Sequence, residues 1–462
     1  MYELEADNEK IAAELYDVVR LFYPDGNAPF ISQHCDTGKK MKVRITVQGR
    51  EFVFEKETLF SGGEAAKREY KRFNKRCLYD VLSELADRKL PWGSLTGVRP
   101  TKLAYELTNE GFSVDTAADK LEELYRVDRR KAELIGEILN AQRGIYGETE
   151  EAMNLYVHIP FCVSRCKYCS FVTEVPKKGY TLVEPYADAL IEEILWTKQI
   201  LAESGKRILS VYIGGGTPTA LSAPLLKRVL ESANCGDVEY TCEAGRPDTV
   251  TEEKLGVMAD CGVNRICVNP QTLCDETLAR IGRSHTSAEF FDVYRAARKY
   301  PFDINTDLIA GLEGETLEIF KDTVDKIVEL RPENVTVHTL SRKNGAELLQ
   351  TEYRHNAEVE AMVERARAAL CENGYIPYYI YRQKRMLGNL ENTGYCLPGK
   401  QCINNITTME ECVGVAACGA GAISKRLFSA ENRIERLANV RDVKLYLDMF
   451  DERLNKKLKF LA

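Results

Sequence analysis

The stretch YVHIPFCVSRCKYCSF, residues 156–171, decides which fold the rest of the chain predicts. It sets Cys162, Cys166 and Cys169 in the spacing C-x3-C-x2-C, directly after a short run of strand-forming residues. Three thiolates on one compact loop can bind three irons of a cubane iron–sulfur cluster and leave the fourth iron open. Two alternatives fit the same residues: a zinc site with His158 as the fourth ligand, or reactive thiols without a metal.

Downstream of this stretch, short strand patterns alternate six times with helical patterns. The strand candidates are LYVHIP (155–160), SVYIGGG (210–216), EYTCEAG (239–245), RICVNPQ (265–271), DINTDLIAG (303–311) and ENVTVHTL (333–340). Such alternation requires parallel strands joined by right-handed crossovers. The predicted fold class is therefore α/β, with a partial (β/α)6 barrel over residues 150–345 that is open on one side. Catalytic residues of such barrels collect at the carboxyl ends of the strands, where the three cysteines lie.

Two regions with other patterns flank the barrel. Residues 1–145 combine helical patterns with a hairpin whose turn is at residues 48–50, and they predict an N-terminal α+β domain of unknown role. The basic run Lys67–Arg76 in this domain is interpreted as a solvated helix face, with contact to nucleic acid or an acidic substrate as the alternative. Residues 346–462 predict a mostly helical C-terminal extension that covers the substrate.

Composition narrows the class of protein further. The 462 residues are 44% hydrophobic and 29% charged, and they contain no apolar run long enough to cross a membrane. The acidic start MYELEADNEK does not have the pattern of a secretory signal, so the expected location is cytoplasmic. Fifteen cysteines in a reducing compartment indicate metal binding where they cluster. The net charge of −7 argues against a dedicated nucleic-acid binder.

Further motifs carry a resemblance to a known family. GGGTPT (214–219) ends the second strand candidate, RIGRSH (280–285) follows the fourth, and GAGAIS (419–424) comes late in the chain. With the cysteine motif, they resemble the radical S-adenosylmethionine (SAM) superfamily and, within it, the oxygen-independent coproporphyrinogen III oxidase family. LTGVRPTKL in the N-terminal region and GNLENTGY (388–395) are similar to its HemZ branch. The resemblance covers essentially the whole chain.

The resemblance implies two cofactors and the residues that hold them. A [4Fe–4S] cluster would bind Cys162, Cys166 and Cys169, and SAM would bind the open iron. Its further contacts would be Tyr156, Tyr168, Gly215, Gly216, Thr217, Glu243, Gln271, Arg283 and Asp307. Glu243 would accept hydrogen bonds from the ribose, and the glycines would let the backbone approach closely. Tight turns, strand-end caps, buried salt bridges and core packing of the tyrosines are the alternatives at these positions.

The reaction that the resemblance implies belongs to heme (porphyrin) biosynthesis. An oxidoreductase of this kind would convert coproporphyrinogen III into protoporphyrinogen IX by removing hydrogen and carbon dioxide from two propionate groups. It would need an electron donor such as flavodoxin or ferredoxin. Cations near the barrel mouth would bind the substrate carboxylates. The candidates are Arg246, Arg283, Arg342, Arg382, Lys384 and Arg385.

Two departures from the family pattern keep alternatives open. Phe171 stands where related dehydrogenases carry a further cysteine, and QCINNITTMEE (401–411) lacks the H-N-x-x-Y-W motif of related heme chaperones. The alternatives are a heme-binding trafficking protein and a radical SAM enzyme that acts on another tetrapyrrole or another large substrate. The late cysteines are candidates for a second metal site or for buried small apolar residues. They are Cys396, Cys402, Cys412 and Cys418.

Overall fold

The structure is a computed structural model. It describes residues 3–24, 26–59, 62–97, 99–147, 150–171, 174–341, 358–383, 386–431 and 433–462. The chain divides into two compact units, Met1–Asn140 with Arg382–Lys384, and Ala141–Tyr381 with Arg385–Ala462. Each unit has its own sheet and its own hydrophobic core.

The N-terminal unit packs helices on one face of a four-stranded sheet. Its elements are β1 (Leu4–Glu5), α1 (Glu9–Phe22), β2 (Ile31–Asp36), β3 (Lys40–Val47), β4 (Arg50–Glu57), α2 (Gly63–Leu85), α3 (Pro100–Asn109), α4 (Val114–Tyr125) and α5 (Arg129–Ala141). Gln48 and Gly49 form the turn of the predicted hairpin, with φ of 52° and 76°. Two positive φ values match the twist of antiparallel strands, and the hairpin is confirmed.

The second unit contains the predicted barrel strands. They are β5 (Ala152–Ile159), β6 (Arg207–Gly215), β7 (Glu239–Glu243), β8 (Arg265–Cys267), β9 (Asp303–Ala310) and β10 (Asn334–Thr339). Each strand is parallel to the next one in chain order. All six predicted strands are confirmed. In the described residues β5 and β10 do not pair with each other, as the open barrel predicts.

Helices cover this sheet and make the crossovers between its strands. They are α6 (Val183–Glu203), α7 (Ala223–Ala233), α8 (Glu252–Asp260), α9 (Asp275–Arg280), α10 (Ser287–Ala297) and α11 (Leu317–Leu330). Strands β5 and β10 are buried along almost their whole length, as strands covered on both faces must be. Leu155, Val211, Ile266 and Ile304 are completely buried in the shared core. This core fixes the carboxyl ends of the strands, where the candidate site residues lie.

The C-terminal region extends both edges of the barrel sheet. Its elements are α12 (Val359–Glu372), β11 (Ile376–Tyr381), β12 (Asn392–Cys396), α13 (Ile403–Glu410), β13 (Gly414–Cys418), β14 (Ile423–Phe428), β15 (Arg433–Ala438), α14 (Val443–Asp448) and α15 (Phe450–Leu461). Strand β13 is parallel to β5, whereas β12 is antiparallel to β10. Its described residues form four α-helices and five strands, so the region contains more strand than the predicted mostly helical extension implies. Strands β12 and β13 were not predicted, because NTGYC and GVAAC contain few β-branched residues.

No helix in the described part of the chain has the length and apolar character needed to span a bilayer.

Candidate functional site

The cysteine loop follows β5 and is anchored by backbone hydrogen bonds at several points. Cys162 and Cys166 are buried, and Cys169 is partly exposed. The Cys162 N–H donates to the carbonyl of Glu174 at 3.1 Å, and the Lys167 N–H donates to the carbonyl of Ile281 at 3.0 Å. The predicted cysteines therefore lie together on one loop whose course the rest of the barrel determines.

The glycines at the end of β6 form the surface on which this loop rests. The Gly216 N–H donates to the carbonyl of Ile159, and the Thr217 N–H donates to the carbonyl of Phe161, both at 2.7 Å. A Cβ atom on Gly216 would lie 2.4 Å from the Phe161 carbonyl oxygen. Gly215 has a φ of +109°, and a Cβ atom there would meet the His158 ring at 2.3 Å. The close approach that the sequence predicts here is made by the cysteine loop, and the Gly216 and Thr217 N–H groups are already bonded.

Polar groups surround the thiols. The Thr217 hydroxyl lies 3.1 Å from Cys162 Sγ. Arg246, which follows β7, points one guanidinium nitrogen at Cys166 Sγ, 3.5 Å away, and at Cys162 Sγ, 3.9 Å away. Asp248 binds the same guanidinium through both carboxylate oxygens, at 3.1 and 2.8 Å. The sequence analysis gave Arg246 as a candidate to bind a substrate carboxylate. In the structure its guanidinium contacts the cysteine thiols instead.

This donor set fits an iron–sulfur cluster. The thiols are soft ligands on one short loop, and a guanidinium and a hydroxyl beside them suit a group that carries negative charge on sulfur. The Phe171 N–H also donates to Cys169 Sγ at 3.4 Å. Hydrogen bonds of this kind to the ligating sulfur are among the protein contributions that tune a cluster's reduction potential. Cys162, Cys166 and Cys169 could therefore hold the cluster that the spacing predicts.

Glu243 and two tyrosines form a second group beside the glycines. Glu243 is the last residue of β7 and accepts a hydrogen bond from the Tyr212 hydroxyl at 2.6 Å. Burial raises the pKa of Glu243 from its ordinary 4.5 to about 7, although hydrogen bonds from Tyr212 and the Gly215 backbone act in the opposite direction. The Tyr212 ring stacks on Tyr156, with centroids 6.2 Å apart. The structure thus brings the predicted Tyr156 and Glu243 together and adds Tyr212, which the sequence did not indicate.

The raised pKa of Glu243 predicts a pH dependence of stability. The folded chain holds this proton more tightly than the unfolded chain, so the stabilisation is complete below pH 4.5 and is lost as the pH rises through about 7. Glu243→Gln stays neutral at every pH. We therefore expect the free energy of unfolding of the wild type, relative to that of Glu243→Gln, to fall by about 2 kcal/mol between pH 5 and pH 8. Urea unfolding of the full-length chain without cluster measures this difference. If the difference in unfolding free energy between the two proteins did not change with pH, the raised pKa of Glu243 would be contradicted.

Gln271 and Asp307 lie side by side on neighbouring segments. The Gln271 N–H donates to the Asp307 carbonyl, and the Ile309 N–H donates to the Gln271 carbonyl, both at 3.0 Å. Gln271 has a φ of 69°, in the left-handed region that favours glycine, and its buried Oε1 has no hydrogen-bond partner among the described residues. Strained backbone and an unpartnered buried acceptor together are features typical of a ligand site.

The Asp307 carboxylate is held by three neighbours. Its oxygens accept hydrogen bonds from the side-chain amides of Asn269 and Asn305, each at 2.8 Å, and His338 Nε2 lies 3.7 Å away. Burial alone would raise the pKa of Asp307, but His338 and the hydrogen bonds from Asn305 and Thr336 outweigh it and hold the pKa below its ordinary value. Asp307 is therefore a fixed anion at the site, and the sequence missed the three residues that fix it.

Arg283 and Tyr168 are joined directly. One guanidinium nitrogen of Arg283 donates to the Gly245 carbonyl at 2.7 Å, and another lies 3.4 Å from the Tyr168 hydroxyl oxygen. Arg283 is buried, and its Nε has no partner within the described part of the chain. Burial raises the pKa of Tyr168, so its hydroxyl stays neutral. The predicted pair thus lies together, with one donor of Arg283 still available.

The other predicted substrate cations are not part of this group. Arg382 belongs to the N-terminal unit, where it donates to the Leu95 carbonyl at 2.5 Å and lies 5.1 Å over the Trp92 ring. Arg342, Lys384 and Arg385 lie outside the described residues.

The four late cysteines do not meet in one place. Cys396 is on β12 and Cys418 is on β13, and six strands of the sheet separate them. Cys402 Sγ contacts Glu239 at 3.2 Å, whereas Cys418 Sγ lies 3.0 Å from Lys457 Nζ. In the parts of the chain that the structure describes, no group of three or more His, Cys, Asp or Glu side chains surrounds a single-ion site. Cys396 and Cys402 belong to one small apolar cluster, whereas Cys418 lies in the main core of the barrel unit.

Comparison with known proteins identifies the class. The family model described as the Radical SAM superfamily matches residues 156–327, which include the end of β5, the cysteine loop and β6 to β9. The solved structure titled coproporphyrinogen III oxidase (HemN) from Escherichia coli shares the fold, with a TM-score of 0.52 and 22% identity over 70% of this chain and 73% of that one. The chain is a radical SAM protein. The cofactors of this class are a [4Fe–4S] cluster and SAM.

Curated relatives identify the family within that class. The oxygen-independent coproporphyrinogen-III oxidase-like protein HemZ of Bacillus subtilis is 33% identical over 98% of this chain and 96% of its own length. The chain belongs to this coproporphyrinogen-III oxidase-like family. The heme chaperone HemW of Lactococcus lactis is 32% identical over 58% of this chain and 69% of its own length.

Proposed function

We propose that the protein carries out the oxygen-independent oxidative decarboxylation of coproporphyrinogen III to protoporphyrinogen IX. The observation that supports this most directly is the likeness to the HemZ protein along nearly the whole of both chains. In each of two rounds a propionate group would lose one hydrogen atom, carbon dioxide and one electron, and a vinyl group would remain. The electron leaves to an acceptor, and the cluster receives its own electron from a donor such as flavodoxin or ferredoxin.

The cofactors would be held by the residues at the strand ends. Cys162, Cys166 and Cys169 would ligate the cluster. SAM contacts would come from Tyr156, Tyr168, Gly215, Gly216, Thr217, Glu243, Gln271, Arg283 and Asp307. When bound, cluster and SAM supply a 5′-deoxyadenosyl radical that can remove a hydrogen atom from an unactivated carbon.

The protein's own part is to bind, orient and shield. Arg246, fixed by Asp248, would balance the negative charge of the thiolates. The unpartnered Oε1 of Gln271 and Nε of Arg283 would be satisfied by polar groups of SAM. Glu243 would accept the ribose hydroxyls while Tyr212 holds its other oxygen. Because these residues are largely buried, the site would also exclude water from a reactive radical.

Heme binding without decarboxylation is the second candidate. It is favoured by the HemW heme chaperones among the relatives, one of them 32% identical over 58% of this chain. It is disfavoured by QCINNITTMEE (401–411), which lacks the histidine and tryptophan that the chaperone motif predicts. Phe171, in place of a further cysteine, favours a third candidate, a radical SAM reaction on another tetrapyrrole.

One anaerobic assay separates the three candidates. Reconstituted protein is incubated with SAM, reduced flavodoxin and coproporphyrinogen III, and products are oxidised and separated by chromatography. Protoporphyrin, with one methionine released for each vinyl group, is the expected result. Stable heme binding without SAM cleavage would contradict the proposal in favour of trafficking. If SAM is cleaved while coproporphyrinogen III stays unchanged, the proposal is contradicted in favour of a radical reaction on another substrate. The same assay with uroporphyrinogen III or heme then tests that candidate.

A further inference from the structure

A cleft in the N-terminal unit combines an apolar lining with an excess of positive charge. It has a volume of about 810 Å³ and lies between α2, α3, α4 and the loop that precedes α3. This is the size range of sites for organic ligands. Nine lysine and arginine residues line it, against five glutamates. The residues predicted to hold the cluster and SAM all belong to the other unit.

The cations are concentrated on one face of α2. Arg68, Arg72, Lys75 and Arg76 are spaced so that they share that face, and all four line the cleft. A helix face turned toward neighbouring helices is ordinarily apolar. The side chain of Lys75 is only 14% exposed, and its Nζ lies 2.5 Å from the Thr96 hydroxyl. Arg68 and Lys71 are exposed, in keeping with the solvated helix face predicted for Lys67–Arg76, whereas Lys75 is largely withdrawn from water in the cleft lining.

The glutamates balance only part of this charge. Five of the nine cations pair with lining glutamates: Lys71 and Lys75 with Glu14, Lys56 with Glu69, Arg68 with Glu106 and Lys120 with Glu123, at 2.6 to 3.7 Å. Four more cations than glutamates line the cleft. An excess of this kind, partly withdrawn from water, favours an anionic ligand over an empty cavity.

Apolar and aromatic side chains form the rest of the lining. They are Leu95, Leu103, Leu107, Phe112, Leu124 and Tyr125. Phe112 is 38% exposed, and the Arg72 guanidinium lies 6.0 Å from the centre of the Tyr125 ring. A site for inorganic phosphate or a bare nucleic-acid backbone does not need such a lining. The lining indicates a ligand with an apolar body of its own.

Two residues of the loop at one wall are held closely against the end of α4. Gly93 has a φ of +52°, and a Cβ atom there would lie 2.1 Å from the Tyr125 carbonyl oxygen. The Ser94 N–H donates to that carbonyl at 2.7 Å. This part of the wall is therefore fixed by backbone contacts, which lowers the entropic cost of binding there.

We propose that this cleft binds an amphipathic polyanion, an organic molecule with an apolar body and several carboxylate or phosphate groups. The apolar body packs against the leucines and Phe112, and the anionic groups bind the arginines and lysines of α2 and α3. Tetrapyrroles with propionate side chains and long-chain acyl-CoA share this chemistry. The N-terminal unit thus supplies a binding site of its own.

Titration of the full-length, cluster-loaded protein tests this site. The probes are coproporphyrin III, oleoyl-CoA and an RNA duplex of about 16 base pairs. Binding of each is measured by the change in the protein's intrinsic tryptophan fluorescence. The variant is Arg72→Met with Lys102→Met, which removes two charges and keeps the apolar stems. The matched control is Arg20→Gln with Lys89→Gln, two exposed cations of the same unit that do not line the cleft.

Binding of coproporphyrin III or oleoyl-CoA should weaken about 10- to 100-fold in the cleft variant and not in the control. The probe that responds identifies the ligand. Thermal unfolding shows whether the double variant is folded. If it is not, Lys102→Glu replaces it, because Lys102 is on the exposed side of α3, and the same loss of binding is expected. Unchanged binding of both small molecules, or a response of the RNA duplex alone, would overturn the proposal.

Discussion

Replacing Cys166 by alanine is expected to remove the cluster and, with it, SAM cleavage. Two thiolates cannot hold a cubane cluster, and the methyl group that remains would face the Arg246 guanidinium now 3.5 Å from the sulfur. Iron and sulfide content and the visible absorbance should fall to background, and release of methionine from SAM should drop by at least ~10³-fold. The fold itself should persist, because alanine replaces a small buried side chain.

Cys274→Ala is the matched control for this experiment. Cys274 lies at the start of α9, is partly exposed like Cys169, and is not on the cysteine loop. Its replacement should leave iron content and SAM cleavage unchanged. If the Cys166→Ala variant retained its full iron content, Cys166 would not be a ligand of the cluster.

Gly216→Ala is expected to destabilise the protein strongly although it adds only one carbon atom. The new Cβ would lie 2.4 Å from the Phe161 carbonyl oxygen, which is backbone and cannot rotate away. Either β6 or the cysteine loop must move, at an expected cost of about 2–4 kcal/mol in the free energy of unfolding. Urea unfolding measures this loss, and iron content after reconstitution should fall because the loop loses its support.

Gly256→Ala provides the comparison. Gly256 is inside α8, and a Cβ atom there would be 3.6 Å from the Tyr300 hydroxyl, an ordinary contact. Alanine should stabilise this helix by up to about 1 kcal/mol. If both alanine variants unfold at the same urea concentration, the steric role of Gly216 is refuted.

The six barrel strands could be predicted because each is a short β-branched run bounded by turn residues, as in β9 with its DINTDLIA. The cysteine site could be predicted for a similar reason. Its three cysteines lie within eight residues, so their spacing alone places them together. Local pattern was sufficient wherever the interacting residues were close in the chain.

Contacts between residues that are distant in the chain could not be predicted from local sequence patterns. Arg246 reaches Cys166 across 80 positions, and no spacing rule separates it from an arginine that binds substrate. The glycines of GGGTPT predicted a close approach, but the sequence could not say that the approaching group is the Phe161 carbonyl. His338 lies beside Asp307 only because β10 pairs with β9. Each of these depends on strand pairing that only the folded chain defines.

The pairing of β13 with β5 has a consequence for the order of events during synthesis. Strand β5 immediately precedes the cysteine loop, yet its outer neighbour is made about 260 residues later. Glu193 on α6 binds the Gly419 N–H just after β13 and also Lys457 on the last helix. Until β13 has been made, the growing chain therefore has the cysteines without the strand that supports β5. We expect the iron centre to be assembled only once β13 has paired with β5.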